Sequence, residues 1–376
     1  MSVSKSVNFG KKQKYEDYWK LTVEYTDIHK MRFRNTLEMI VDYIDNHPDL
    51  KNGYDKKFYK DLQFSIAKVY KKADLGSVRK SINQMVKLGF VKPYLIDYHT
   101  ETRKFLKASS DEEREIIFSS VYYSYANFQS SVTVDNSHLK HINFFLKTLM
   151  YKRNRELNKK EIAALMSSDI LAYKNKGYMN EKELNEQVQF VNFNKFMDRK
   201  YNQISYFLDF LKYVPGITVA KNKSLVYYTE DASIHLSETI DVKRDPTLFR
   251  LMKEKIKQES INVYGRVQCY FTKKQQKGLV VSHIIRSEDA LRNLDTDTAY
   301  DYKNALLLDP NSDAYFDKYD LTFNNIGEPK FGELVPHEFK REKKDLVLDN
   351  EILQGRQNYL KEHEGKFLKK SGAISD

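Results

Sequence analysis

The stretch LVVSHIIRSEDALRNLDTDTAYDYKNALLLDPNSDAYFDKYD, residues 279–320, decides how the last third of the chain is read. It begins as an apolar run that stops at His283, crosses a long polar segment to Asn304, resumes as the short apolar run ALLL, and then takes on helical character. Asp309 stands where a helix cap belongs, Pro310 suits the first helical position, and Asp313 and Asp317 fall one turn apart. Upstream, RVQCYF (266–271) and GLVVSH (278–283) flank the polar turn TKKQQK and read as two strands, with His283 closing the second. The expected order is strand, strand, loop, helix.

This segment resembles the HNH endonuclease family, whose core is the ββα-metal fold. The resemblance rests on Ser282-His283-Ile284, on Asn304-Ala305-Leu306-Leu307-Leu308, and on Asp313-Ala314-Tyr315-Phe316-Asp317-Lys318. It is close to the branch found in restriction enzymes, with a signature near SHI, then NGLLL, then LDxLFDKG. Carried over position by position, it implies that His283 is the general base, Asn304 the central asparagine, and Asp313 the third position on the helix. Four positions depart from the family pattern. Ala305 and Tyr319 replace common glycines, Asp313 stands where many members have histidine, and Ser282 where many carry a metal-binding acid.

Phosphodiester hydrolysis explains why such residues would be needed together. An imidazole that titrates near neutrality can take the proton of an attacking water at cellular pH. One divalent cation can stabilise the charge that gathers on the phosphate. Asp313 would ligate it, while Asn304 would either orient the histidine-bearing loop or complete the metal shell. Oxygen ligands favour a hard ion, so the expected cofactor is a single Mg²⁺ or Mn²⁺ per site. Arg286, just beyond the base, is a candidate phosphate contact.

The composition fits a polyanionic partner. Lys and Arg outnumber Asp and Glu by 63 to 52, for a net charge of +11, which favours double-stranded DNA through phosphate contacts and counterion release. With 41% hydrophobic residues, 22 Phe and 27 Tyr, the chain has ample material for packed cores, and its 376 residues allow two or three domains. No apolar run is long enough to cross a bilayer and the first twenty residues lack a signal-peptide core, so a cytoplasmic protein with no membrane partner is expected. The lone Cys269 excludes an intramolecular disulfide and a multi-cysteine zinc site. Neither GxGxxG nor GxxxxGK[ST] occurs, and no organic cofactor is expected.

Before residue 250 the pattern is mainly helical. MRFRNTLEMIVDYIDNH (31–47), EEREIIFSSVYYSYANF (112–128) and HLKHINFFLKTLMYK (138–152) carry apolar residues at helical spacing, and Asn158 with Glu161 forms a capping-box variant. In GSVRKSINQMVKLGFVKPYL (76–95), Ser77 is placed to cap a helix with Val78, Ile82, Met85 and Val86 on one face. Lys80, Asn83, Gln84 and Lys87 share the opposite face, the side chains that reach phosphates and base edges in a major groove. Gly89 stops this helix, then FVKPYL reads as a strand and DYHTETRKFLKA as a polar turn, the order of a helix-turn-helix with a wing. A second such unit is expected at 202–228, as a helix, a Pro215-Gly216 turn and a hairpin about Asn222-Lys223. The region, including TRKFLKASSDEEREIIF, loosely resembles the recognition regions of some restriction endonucleases built from winged-helix modules.

The expectation is an α+β protein in three parts: a winged-helix module at 1–105, a second at 106–250, and an HNH nuclease domain with a helical extension at 251–376. Its expected activity is that of a type II restriction endonuclease, a homodimer where the target is palindromic. Two other readings share these residues: a nuclease that cuts modified DNA, and a DNA-binding regulator with a decayed nuclease fold.

Overall fold

The structure is a computed structural model that describes residues 18–71, 74–228, 245–292 and 295–371. They fall into two compact units, parted between Tyr228 and Thr229. A boundary near 250 would cut a helix, Pro246–Tyr264. A boundary near 105 would divide one core: the rings of Phe33, Phe90, Phe105 and Phe118, from both sides of it, pack on one another.

The first unit opens with six helices, α1 (Met31–Asn46), α2 (Lys56–Tyr70), α3 (Leu75–Lys87), α4 (Thr100–Lys107), α5 (Asp111–Tyr125) and α6 (His141–Tyr151). The three apolar periodicities noted in the sequence account for α1, α5 and α6. There follow β1 (Glu156–Asn158), α7 (Lys159–Met166), α8 (Glu181–Phe193), α9 (Phe196–Leu211), β2 (Ile217–Val219) and β3 (Leu225–Tyr228). The three strands form one antiparallel sheet in the order β1-β3-β2. Asn158 and Glu161 make the expected capping box at the start of α7.

The supposed reading helix α3 is different from its sequence expectation. Asp74, not Ser77, caps it, accepting from the backbone of Gly76 and Ser77. Val78, Ile82, Met85 and Val86 are buried as expected, but so are Gln84 and Lys87 on the opposite face. Lys87 Nζ donates to the carbonyls of Phe128 and Ser130, at 2.9 and 2.8 Å. Burial, with Lys20 nearby, pushes its pKa down to about 7. Asn83 is half-buried, and its Oδ1 accepts from Val132 N at 2.9 Å. Of the four, Lys80 alone is exposed. The segment 127–132 therefore covers the face that was expected to read DNA.

The expected wing after α3 is also replaced. Pro93 lacks the N–H a strand ladder needs, and a 3-10 turn at Pro93–Leu95 leaves only the single bridge Val91↔Tyr98. The polar turn becomes α4, which buries Thr102 and Phe105. Gly89 is needed where α3 ends: φ is +92° and a Cβ there would lie 2.7 Å from that of Tyr125.

The second unit runs α10 (Pro246–Tyr264), β4 (Val280–His283), α11 (Ser287–Arg292), α12 (Thr296–Tyr300), β5 (Ala305–Leu308), α13 (Pro310–Phe316), β6 (Leu321–Phe323), β7 (Pro329–Phe331), α14 (His337–Lys343), α15 (Asn350–Leu353) and α16 (Gln357–Lys370). The strand expected at 266–271 is a turn. Cys269 Sγ accepts from the backbone of Thr272 and Asp309, each at 3.3 Å, and Tyr270 N donates to Leu307 O at 2.7 Å. The strand that partners β4 is the ALLL run, β5. The observed order is strand, loop, strand, helix, around a core that includes Ile256, Leu306, Leu307, Phe316, Phe323 and Leu360.

One buried histidine makes this unit sensitive to acid. His363 stacks on Phe316 with centroids 4.0 Å apart, and its Nε2 lies 3.1 Å from the Phe316 carbonyl. A carbonyl only accepts, so Nε2 carries the proton and Nδ1 accepts from the Thr322 hydroxyl at 2.9 Å. Burial pushes the pKa of His363 down to about 4. The unfolded chain, with an ordinary histidine, takes up a proton first as pH falls through about 6.5. Stability is therefore complete above that pH and is lost between 6.5 and 4, by about 3 kcal/mol from this residue. Thermal melts across this range should show a shallower slope for His363→Leu, despite its lower stability at neutral pH.

Candidate active site

β4 and β5 pair in the register Val280↔Leu308, Val281↔Leu307, Ser282↔Leu306 and His283↔Ala305. Asp309 then turns the chain into α13. Its Oδ1 accepts from the backbone of Asn311 and Ser312, both at 3.1 Å, and Pro310 occupies the first turn. Its other oxygen accepts from Ser312 Oγ, Thr272 Oγ1 and Cys269 Sγ. Burial pushes this carboxyl up, but the hydrogen bonds outweigh it and hold Asp309 below the usual carboxylate range. The Cys269 thiol is pushed up by burial. The thiol thus serves as a hydrogen-bonded pin between the 269–273 turn and the start of α13.

Asp313, one turn along, accepts a short hydrogen bond from Ser282 Oγ. Burial raises its pKa, Asp317 and Asp309 add to the rise, and only the Ser282 hydroxyl opposes it. Successive residues of a strand point to opposite faces. Ser282 reaches Asp313, while the half-buried His283 stacks on Phe249 of α10, at 5.7 Å between centroids and 18° between planes. The direct contact is between positions 282 and 313, with His283 the next residue in the chain.

Asn304 is completely buried. Its amide donates to the carbonyls of Ile285 and Thr298, at 2.9 and 3.0 Å, and its Oδ1 accepts from Ile285 N at 2.8 Å. Its own carbonyl accepts from Ile284 N at 3.0 Å. Of the two roles open in the sequence, these bonds fit the orienting one. The amide oxygen faces the loop after His283, which runs counter to the expectation that Asn304 ligates a metal. Asn304→Ala would strand one N–H and two carbonyls, and a loss of about 1–3 kcal/mol is expected in denaturant unfolding.

Arg286 is half-exposed, donates to the Asp317 carbonyl at 2.7 Å and lies over the Tyr319 ring. It braces the end of α13 and keeps its edge in solvent. A further group around the site had no sequence signal. Arg356, wholly buried, donates to the Ala305 carbonyl at 2.8 Å and to both oxygens of Glu259. Lys303 Nζ joins the same carboxylate at 2.6 Å. Arg356 thereby grips the residue of β5 that pairs with His283.

A histidine closing a strand, an adjacent residue on the helix carboxylate, and a buried asparagine locking the loop between them form one constellation. The sequence model of the HNH endonuclease family matches residues 269–324, which contain all of it. These residues are an HNH endonuclease domain. No curated protein matches the chain. The HNH match is confined to the second unit, and Glu259 and Arg356 lie outside it.

HNH nucleases use a divalent metal. Among the described residues no three His, Cys, Asp or Glu side chains converge to hold one. The donors present still fit a hard cation. Asp313 is a half-buried carboxylate whose anionic form is disfavoured, and among the described residues no lysine or arginine pairs with it. Mg²⁺ commonly binds through one or two carboxylates and fills its shell with waters and substrate phosphate. Asp313 and Ser282 would hold it here. No helix among the described residues is long and apolar enough to cross a membrane.

Proposed function

We propose that the chain is a sequence-specific, metal-dependent DNA endonuclease of the type II restriction class. The observation that carries this reading is the Ser282–Asp313 contact beside His283, at the end of a strand whose following loop Asn304 holds in place. A ring nitrogen of His283 takes the proton of a water aligned with the scissile phosphate. The β4–β5 ladder fixes the backbone of His283, and its ring lies against that of Phe249. Asp313 and Ser282 hold a Mg²⁺ or Mn²⁺ ion, which when bound supplies Lewis-acid stabilisation of charge on the phosphate. Arg286, which reaches the Asp317 carbonyl one turn beyond Asp313, is a phosphate contact in this reading.

The ββα core contacts mainly backbone, so discrimination must come from elsewhere. The first unit supports that role. Its succession α6, β1, α7, α8, α9, β2, β3, with strand order β1-β3-β2, supports reading the α9 helix and the β2–β3 hairpin at 202–228 as a winged-helix unit. The +11 charge favours duplex DNA as partner.

Digestion of unmodified and methylated phage DNA with the purified protein, followed by sequencing of the ends, tests the reading. Cleavage of unmodified DNA at one recurrent sequence is expected. Cleavage of methylated DNA alone would assign a modification-dependent nuclease instead. No cleavage in either Mg²⁺ or Mn²⁺ would overturn the nuclease reading and leave a DNA-binding regulator.

A further inference from the structure

Helix α9 buries Phe196, Ile204, Phe207, Leu208 and Leu211 along one stripe. Its outward stripe is divided in two. The second half is covered: Lys223, at the tip of the β2–β3 hairpin, donates to Ser205 Oγ and Asp209 Oδ2, both at 2.7 Å, and Tyr206 stacks on Tyr25. The first half kinks at Lys200 (φ −124°, ψ 15°), and around the kink Asp198, Arg199, Tyr201 and Asn202 are exposed, with Arg199 also donating to the Asn194 carbonyl at 3.3 Å. The hairpin is thus strapped beside the helix, and its Lys221 and Asn222 remain exposed.

Phe193, at the end of α8 just before α9, is 89% exposed, and Tyr201 59%. A phenyl ring left in water is unfavourable unless something covers it. These side chains match what a major groove offers. Arginine pairs with guanine O6 and N7, asparagine with adenine N6 and N7, and an aromatic edge packs on a thymine methyl. A recognition helix presents its N-terminal residues to base edges, with a wing along the backbone.

The geometry points to this face as the sequence-reading surface: Arg199 and Asn202 read bases in the major groove of duplex DNA, Phe193 packs on the groove wall, and Lys221 at the hairpin tip holds a phosphate. This inference rests on the proposed DNA-directed function, and it moves base reading from α3, whose polar face is covered, to α9. Charge complementarity favours duplex DNA as the occupant, since the catalytic domain acts on nucleic acid and the chain carries +11.

The test is selection from a randomised duplex pool by the full-length protein in chelator, so that no cleavage is needed, followed by sequencing of the bound fraction. The parent is expected to enrich one motif. Arg199→Ala and Asn202→Ala should each lose at least about tenfold preference for that motif over random duplex, at distinct positions within it. Lys221→Ala should keep the motif while weakening binding to every duplex and lowering the salt slope by about one. All three side chains are exposed, so unchanged melting temperatures should accompany these effects. A parent that enriches no motif would overturn the proposal, as would Arg199→Ala and Asn202→Ala variants that select the parental motif with equal preference. Adding Mg²⁺ to the parent on its selected duplex separates the two readings: failure to cut there counts against the nuclease and leaves the reading surface standing.

Discussion

His283→Ala should lower single-turnover cleavage of duplex DNA by about 10²–10⁴-fold, the usual contribution of a positioned general base. The ring is half-buried and its described ring contact is the Phe249 stack. Its removal should cost on the order of 1 kcal/mol of stability and leave the fold intact. DNA binding should persist, because the base contributes to the transition state and not to holding the duplex. The loss must therefore appear in the rate constant at saturating protein. A variant that cuts at the parental rate would show that another group takes the proton.

The second large effect is on stability. Glu259 sits in the interior with Arg356 and Lys303 on its two oxygens and accepts from the Tyr270 hydroxyl. Burial pushes its carboxyl up, yet Arg356 and Lys303 hold it below the usual range. Glu259→Ala would leave the wholly buried Arg356 guanidinium without its counter-charge, which typically costs about 3–5 kcal/mol. On the scale of this unit that is a drop in melting temperature on the order of 10 °C, readable by calorimetry. Glu259→Gln, which keeps the shape and part of the hydrogen bonding, should lose less. Because Arg356 holds the Ala305 carbonyl opposite His283, cleavage should fall further than the population of folded protein explains. Equal melting of parent and Glu259→Ala would show that the cluster carries no stability.

The features that were legible in the sequence are local ones. Periodicity found α1, α5 and α6, the Asn158–Glu161 pair marked the start of α7, and Asp309-Pro310 marked α13, because each is decided within one or two turns. His283 closes β4, Asn304 stands just before β5 and Asp313 lies on α13, placements that are each set by neighbouring sequence. What failed depended on distant partners. The polar face of α3 looks solvent-facing in isolation, and nothing within it announces that the carbonyls of Phe128 and Ser130 will enclose Lys87. RVQCYF has strand composition, but Cys269 is drawn into a turn by the backbone of Asp309, forty residues on. The Glu259–Arg356 pair joins residues 97 positions apart, and no spacing rule reaches that far.

The central claim is that the His283 and Asp313 region hydrolyses DNA with help from a divalent ion. The most direct measurement is conversion of supercoiled plasmid carrying the selected motif, by the purified full-length chain, with Mg²⁺ and with excess chelator. Linear product in Mg²⁺, none in chelator, and recovery on adding Mg²⁺ back is the expected result. Cleavage that continues unchanged in chelator, or a plasmid left intact in both Mg²⁺ and Mn²⁺, would contradict it.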